Sequence, residues 1–356
     1  MQVWIWNLGE QHFPGAVRIL DLYHGRQHLW ELARRLHPND ESRTQPIPRR
    51  QSPRMLSLIS KIRAGSYAPR YSIGLTPQPN APQAKQPPRV SVVVVSRNRA
   101  ALLRRCLDSL EQSDARPTLQ VIVVDNGSTD GSAQLESAFL TVQFVPLPKN
   151  FGLTKALNIG WRAADAAYVF FLHDDTEVEP PTVARLADVL DANPEAAAVC
   201  PLLVDAEGRP AAQLGHFPPD GNWRPAEPAG DDPFAVEYPR GAALMMRVSL
   251  IRAVRQIDER YGQFGSDADL AAQIHKASKK ILLVPAARAR HAGSQGYSSA
   301  ERADFLLGRA LFHEKYHGFG AGIRARLGSV LGPLVSFRLG VFRYTIAGQK
   351  IDGTQP

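Results

Sequence analysis

From Val90 onward the chain repeats one pattern: a short apolar run, a polar turn, then a stretch whose apolar residues share one helical face. The runs VSVVVV, QVIVV and YVFFL are too short for buried helices and lack a polar side, so they read as strands covered on both faces. After the first run, Leu102, Leu103, Cys106, Leu107 and Leu110 recur at the spacing of one helix face. Such alternation predicts an α/β domain with a mainly parallel sheet flanked by helices. Strands are expected at Val90 to Val95, Gln120 to Val124, Val142 to Pro146, Tyr168 to Leu172 and Ile281 to Val284, with a helix from Thr154 to Ala164. Sites in open α/β sheets gather at the carboxyl ends of strands. Here those ends carry Ser96, Asp125 with Asn126, and His173-Asp174-Asp175.

The chain before Val90 has another texture. Residues 42–89 scatter prolines and basic residues through PIPRRQSPR and LTPQPNAPQAKQPPR, the composition of a semi-rigid linker that ends near Arg89. Residues 1–41 predict a short strand, Val17 to Leu20, and a helix ending before Pro38. That stretch resembles a fragment of DDE-class insertion-sequence transposases, in which Asp21 would be a metal-binding carboxylate. The further carboxylates of a DDE nuclease do not follow, so the fragment is expected to be non-functional, a fused remnant or the product of a misplaced start codon. The opening MQVWIWNLGEQHF has no basic region followed by an apolar run and does not read as a signal peptide. No stretch reaches the roughly 18 uninterrupted apolar residues of a spanning helix.

A formal charge of +8 favours anionic partners. Cys106 and Cys200 both sit in apolar runs, which suits buried free thiols and a cytoplasmic setting.

Several polar groups could do chemistry, each with a structural alternative, which for Lys155 is a solvated helix residue and for His291 a lone histidine with no ligand role. Asp125 follows a buried strand, where its carboxylate can accept the imide N–H of uracil or thymine; an Asp-Asn pair also simply makes a turn. Gly152 marks a tight turn before a helix whose amides, with Lys155, can face phosphate or ribose oxygens. Asp174 and Asp175 suit a divalent cation on a diphosphate, or the cap of the helix after Pro180. Asp267 and Asp269 open a further helix, Asp267 as a proton acceptor or as its N-cap. His291 offers an imidazole, a better ligand for Mn²⁺ than for Mg²⁺.

In order and spacing, VSVVVVSRNRAALLRRCLDSL, VIVVDNGSTDGS, KNFGLTKALNIG, YVFFLHDDTEV and the segment from GAALMMR through RYGQFGSDADL to His291 resemble family 2 glycosyltransferases. The resemblance implies a GT-A (Rossmann-like) domain over residues 90–300 and a nucleotide diphosphate sugar donor, UDP- or dTDP-linked. It implies Mg²⁺ or Mn²⁺, and inverting transfer to a hydroxyl of a cell-surface or lipid-linked glycan, with rhamnosyl transfer in polysaccharide biosynthesis as the example. On this pattern Asp125 contacts the base, Ser96, Asn126, Gly152 and Lys155 line the nucleotide pocket, and Asp174 meets the ribose. Asp175 and His291 hold the metal, and Asp267 is the catalytic base. Two positions depart from the pattern: His173 stands where the first Asp of Asp-x-Asp is usual, and Ser266 replaces a Glu. Residues 301–356 are basic and interrupted apolar, and would lie peripherally on the inner face of a membrane or pack on the domain as amphipathic helices.

Three other readings compete. A catalytically silent sugar-nucleotide binder would keep the pocket and explain both departures. A sugar-1-phosphate nucleotidyltransferase needs a Gly-rich loop where this chain has SRNRAALL. A nucleic-acid-binding protein would use the basic N-terminal region, and a nucleic-acid partner is not expected.

Overall fold

The structure, a computed structural model, describes residues 87–293 and 297–351. The transposase-like fragment, Asp21 and most of the linker lie outside the described residues. Leaving aside the short helical turns Arg116–Thr118 and Leu135–Ala138, the elements in chain order are β1 Val90–Ser96, α1 Ala100–Glu111, β2 Leu119–Asp125, β3 Val142–Pro146, α2 Leu153–Arg162, β4 Tyr168–His173, β5 Thr176–Val178 and α3 Thr182–Ala192. There follow β6 Ala196–Val204, β7 Ala212–Gly215, β8 Arg224–Pro225, β9 Phe234–Val236, β10 Tyr238–Pro239, β11 Ala243–Arg247, α4 Val248–Ala253 and α5 Ser266–Lys276. β12 Lys280–His291 then leads into α6 Ser299–His317, α7 Phe319–Val335 and α8 Leu339–Ile346.

The main sheet runs β3-β2-β1-β4-β11-β6-β12-β5, with β9 paired to β12. β3, β2, β1 and β4 are mutually parallel. Beyond them β11 runs antiparallel to both β4 and β6, while β6 and β12 are parallel. Every residue of β1 except the half-buried Val95 is buried, as continuous apolar strands under two helical layers must be. Val92 and Val94 face a core layer shared with Leu103 and Leu107 of α1 and with Leu186 and Leu190 of α3. Val93 faces the opposite layer, with Ala156 and Trp161 of α2 and Ile274 of α5. Helix α2 lies so close to the sheet that a Cβ on Gly160 would sit 2.4 Å from Val93 Cγ1.

The expected strands stand where the apolar runs placed them, with one difference. β12 continues past Val284 through Pro285 to His291, shifting register between Val284 and Arg288. Proline cannot donate to the ladder, and an irregularity there lets the strand resume toward β5.

Candidate active site

Register assembles the site. Ser96 pairs with Asp125 and Val95 with His173, so the carboxyl ends of β1, β2 and β4 open on one edge. At that edge a groove of about 240 Å³ is lined by Ser96, Arg97, Arg99, Asn126, Gly152 and Asp174, among others.

Asn126 ties its two rims together. Its Nδ2 donates to Asn150 Oδ1 at 3.0 Å and its Oδ1 accepts the Phe151 N–H at 2.8 Å. Gly127 has a positive φ of 75°, and a Cβ there would lie 2.4 Å from the Lys149 carbonyl carbon, so only glycine fits the turn. Asp125 Oδ1 accepts the Ser128 N–H at 3.0 Å, closing that turn. Gly152, with φ of 82°, is the cap residue of α2. Lys155 sits half-buried in the first turn of α2 and stands off the groove wall.

Asp174 faces the groove. Its Oδ2 accepts the Ser96 hydroxyl at 2.8 Å, and Arg99 Nη1 lies 3.4 Å from its Oδ1. Burial pushes this carboxyl up to about 6, against the Ser96 hydrogen bond and the Arg99 charge. Neither acid caps the next helix, whose cap position belongs to Pro181.

Antiparallel pairing of β12 with β5 sets His291 opposite Thr176, and so beside Asp175. His291 Nε2 is 3.3 Å and His173 Nδ1 3.9 Å from Asp175 Oδ1, and one ligand atom from each of the three residues falls within 4.8 Å of the others. Asp175 Oδ1 is buried yet accepts no hydrogen bond. Burial alone would raise Asp175, but the adjacent His291 and His173 and the Arg99 guanidinium outweigh it and bring the carboxyl down to about 2. An ionised, unsatisfied carboxylate oxygen between two imidazoles is a donor set that fits a divalent cation. In the sequence His173 stands out only as a departure from Asp-x-Asp; the signal for a ligand is its place beside the two acids at a strand end.

Asp267 lies in the first turn of α5, where Gly265, in the left-handed region, holds the cap position. The capping alternative for Asp267 is therefore not what the fold uses. Its Oδ1 accepts the Ala268 N–H at 2.8 Å and the Tyr238 hydroxyl at 3.0 Å, and its Oδ2 accepts the Gly241 N–H at 3.2 Å. Burial raises its carboxyl above the ordinary range against these three hydrogen bonds. Asp269 is structural: only 1 % exposed, it meets Lys315 Nζ at 2.7 Å and the Tyr316 hydroxyl at 2.9 Å.

Asp267 lines a cavity of about 620 Å³ with Trp223, Tyr238, Arg240, Tyr297 and Phe305, none of which sequence reasoning had found. Leu153, His173 and Gln263 line both this cavity and the groove. The two spaces thus meet at the metal-type cluster.

Residues 91–251 match the profile described as Glycosyl transferase family 2. An N-acetylglucosaminyl-diphospho-decaprenol L-rhamnosyltransferase of Mycobacterium tuberculosis is 30% identical over 230 residues, 56% of this chain and 75% of that protein. The chain belongs to glycosyl transferase family 2. This glycosyltransferase is also 31% identical over 221 residues to a pre-mycofactocin glycosyltransferase of the same species, covering 60% of this chain and 44% of that one. Its fold matches the crystal structure of GalNAc-T7 with UDP, GalNAc and Mn²⁺ at a TM-score of 0.57 and 16% identity, over 74% of this chain and 57% of that one. The fold is GT-A, and the enzyme transfers a sugar from a nucleotide sugar to an acceptor hydroxyl.

Proposed function

We propose that this glycosyltransferase moves a rhamnose-type sugar from a UDP- or dTDP-sugar to a hydroxyl of a lipid-linked, diphosphate-bearing glycan, by one inverting displacement. The observation that carries the reading is the shared wall at His173, through which the Asp267 cavity adjoins the nucleotide groove. A donor held with its base near Asp125 and its ribose near Asp174 would present its anomeric carbon toward that cavity. Asp267, ionised and oriented by Tyr238 and Gly241, takes the proton from the acceptor hydroxyl as the new bond forms. His173, Asp175 and His291 would hold Mg²⁺ or Mn²⁺, whose charge favours departure of the nucleoside diphosphate.

An anionic acceptor is supported by Arg240, Arg302 and Arg338 in the cavity lining. Of the three acids beside them, Asp267 is the proposed base, Glu301 is engaged in a capping box with Ser298 and Asp220 with Asn222. The rhamnosyltransferase relative is named for a diphospho-decaprenol acceptor. In this reading residues 90–300 are catalytic, 42–89 a linker, 1–41 without a catalytic role, and 301–356 an accessory helical region. No helix among the described residues is long and apolar enough to cross a membrane. The free thiols of Cys106 and Cys200 support action on the cytoplasmic side.

The test separates base from metal ligand. Asp267→Asn should keep metal-dependent donor binding while transfer falls by roughly 10²- to 10⁴-fold. Asp175→Asn should weaken metal-dependent donor binding, and hydrolysis and transfer with it. Near wild-type transfer by Asp267→Asn would remove Asp267 from the mechanism.

A further inference from the structure

Helix α7 is turned inside out for a helix of a water-soluble surface. Amphipathic helices bury their large apolar residues and expose polar ones. In α7 the buried positions are Gly322, Ser329 and Pro333, and a Cβ on Gly322 would lie 2.6 Å from Glu314 Cβ of α6, so small residues make the inward contact. Phe319, Ile323, Leu327, Leu331 and Val335, spaced by four, all face outward and are 44 to 77 % exposed. Phe337 at 87 % and Leu339 at 63 % continue that surface into α8.

Charge indicates what covers it. Residues 319–350 contain no Asp or Glu but include Arg324, Arg326, Arg338, Arg343 and Lys350. Of these, Arg324, Arg338 and Arg343 are exposed. Apolar side chains with a cationic surround fit the headgroup boundary of an anionic bilayer, where a helix lies flat.

Position adds a reason. Gly328, Gly332, Pro333, Ser336 and Arg338 line the cavity that holds Asp267. One pair of helices therefore both walls the acceptor cavity and presents the apolar face.

We infer that α7 and α8 seat the enzyme on an anionic lipid surface, with the acceptor cavity opening beside the bilayer so that a lipid-anchored acceptor reaches Asp267 while its tail stays in the membrane. The link to the acceptor rests on the function proposed above; the docking does not.

The experiment is vesicle co-sedimentation of the full chain without donor or acceptor, using phosphatidylcholine alone and phosphatidylcholine with phosphatidylglycerol. The wild type should bind the anionic vesicles, and more weakly in high salt. Arg324→Gln with Arg343→Gln should lower the partition coefficient by about fivefold per residue. Leu327→Glu with Leu331→Glu should lower it about tenfold or more, and should leave metal-dependent hydrolysis of the donor unchanged. Equal sedimentation with neutral and anionic vesicles, or no effect of either double variant, overturns the proposal. So does a wild-type dimer in sedimentation velocity that Leu327→Glu with Leu331→Glu converts to a monomer while vesicles go unbound, since the face would then join two copies. Docking without transfer to a lipid-linked acceptor would instead fault the acceptor reading alone.

Discussion

At Asp267 a single carboxylate is both penalised by burial and relieved by three donors, and under the proposed role of Asp267 as general base its proton affinity is measurable through the reaction. A general base works only when ionised, so kcat/KM for transfer should fall as pH drops through a pKa above the ordinary carboxylate range. Tyr238 stays protonated, because burial and the neighbouring Asp267 raise its pKa well above normal, and its hydroxyl donates to the anion. Tyr238→Phe deletes that donor and destabilises the charged form, so the acid limb of the pH profile should move to higher pH. An unmoved limb would show that Tyr238 does not set the base. Arg99, reaching Asp174 at 3.4 Å and Asp175 at 3.5 Å, ties the two acids to the entrance of α1.

The element that positions α5 is a loop pinned from the far side by α6. Asp304, on α6 and 1 % exposed, accepts the N–H groups of Gln263 and Phe264 at 2.8 and 3.0 Å and that of Ile351 at 2.9 Å. A Cβ on Gly262 would lie 2.1 Å from Asp304 Oδ1, so the loop backbone must come this close. Asp304→Ala leaves these donors without their acceptor and should destabilise the fold by about 2 to 4 kcal/mol in denaturant unfolding. Asp304→Asn, which keeps one acceptor oxygen, should cost less. Equal losses would show that the carboxylate itself, which the isosteric Asn also removes, carries the whole contribution and the lost side-chain volume none.

For the whole molecule, both layers of the core described are built from residues after Arg89, and Arg89 itself pairs with Asp188 and Asp191 at 2.6 Å. A chain of residues 87–356 should therefore melt cooperatively and bind UDP or dTDP with metal, as judged by calorimetry. Loss of the cooperative transition would place part of the folding unit within residues 1–86. The C-terminal helices belong to this unit, since Ala303, Leu307 and Phe312 of α6 are buried and Lys315 pairs with Asp258 and Asp269 across its surface.

Strands β1 to β4 and the edge they share were legible from the sequence because a parallel strand under two helical layers must be apolar throughout, and its polar terminus then marks the edge. The start of α5 was legible for a similar local reason: a Gly-containing loop delivers acids to a helix with a regular apolar face. What no local signal carried were pairings between distant segments. His291 meets Asp175 and His173 only because β12 resumes past Pro285 and pairs antiparallel with β5. Tyr238 and Gly241 hold Asp267 only because β10 and the turn before β11 pack against α5. In α7 the sequence alone determined that one side is small and another large and apolar. Packing against α6 decided that the small side turns inward, because glycine and serine allow the backbones to approach where leucines would not, and the large side chains are left facing out.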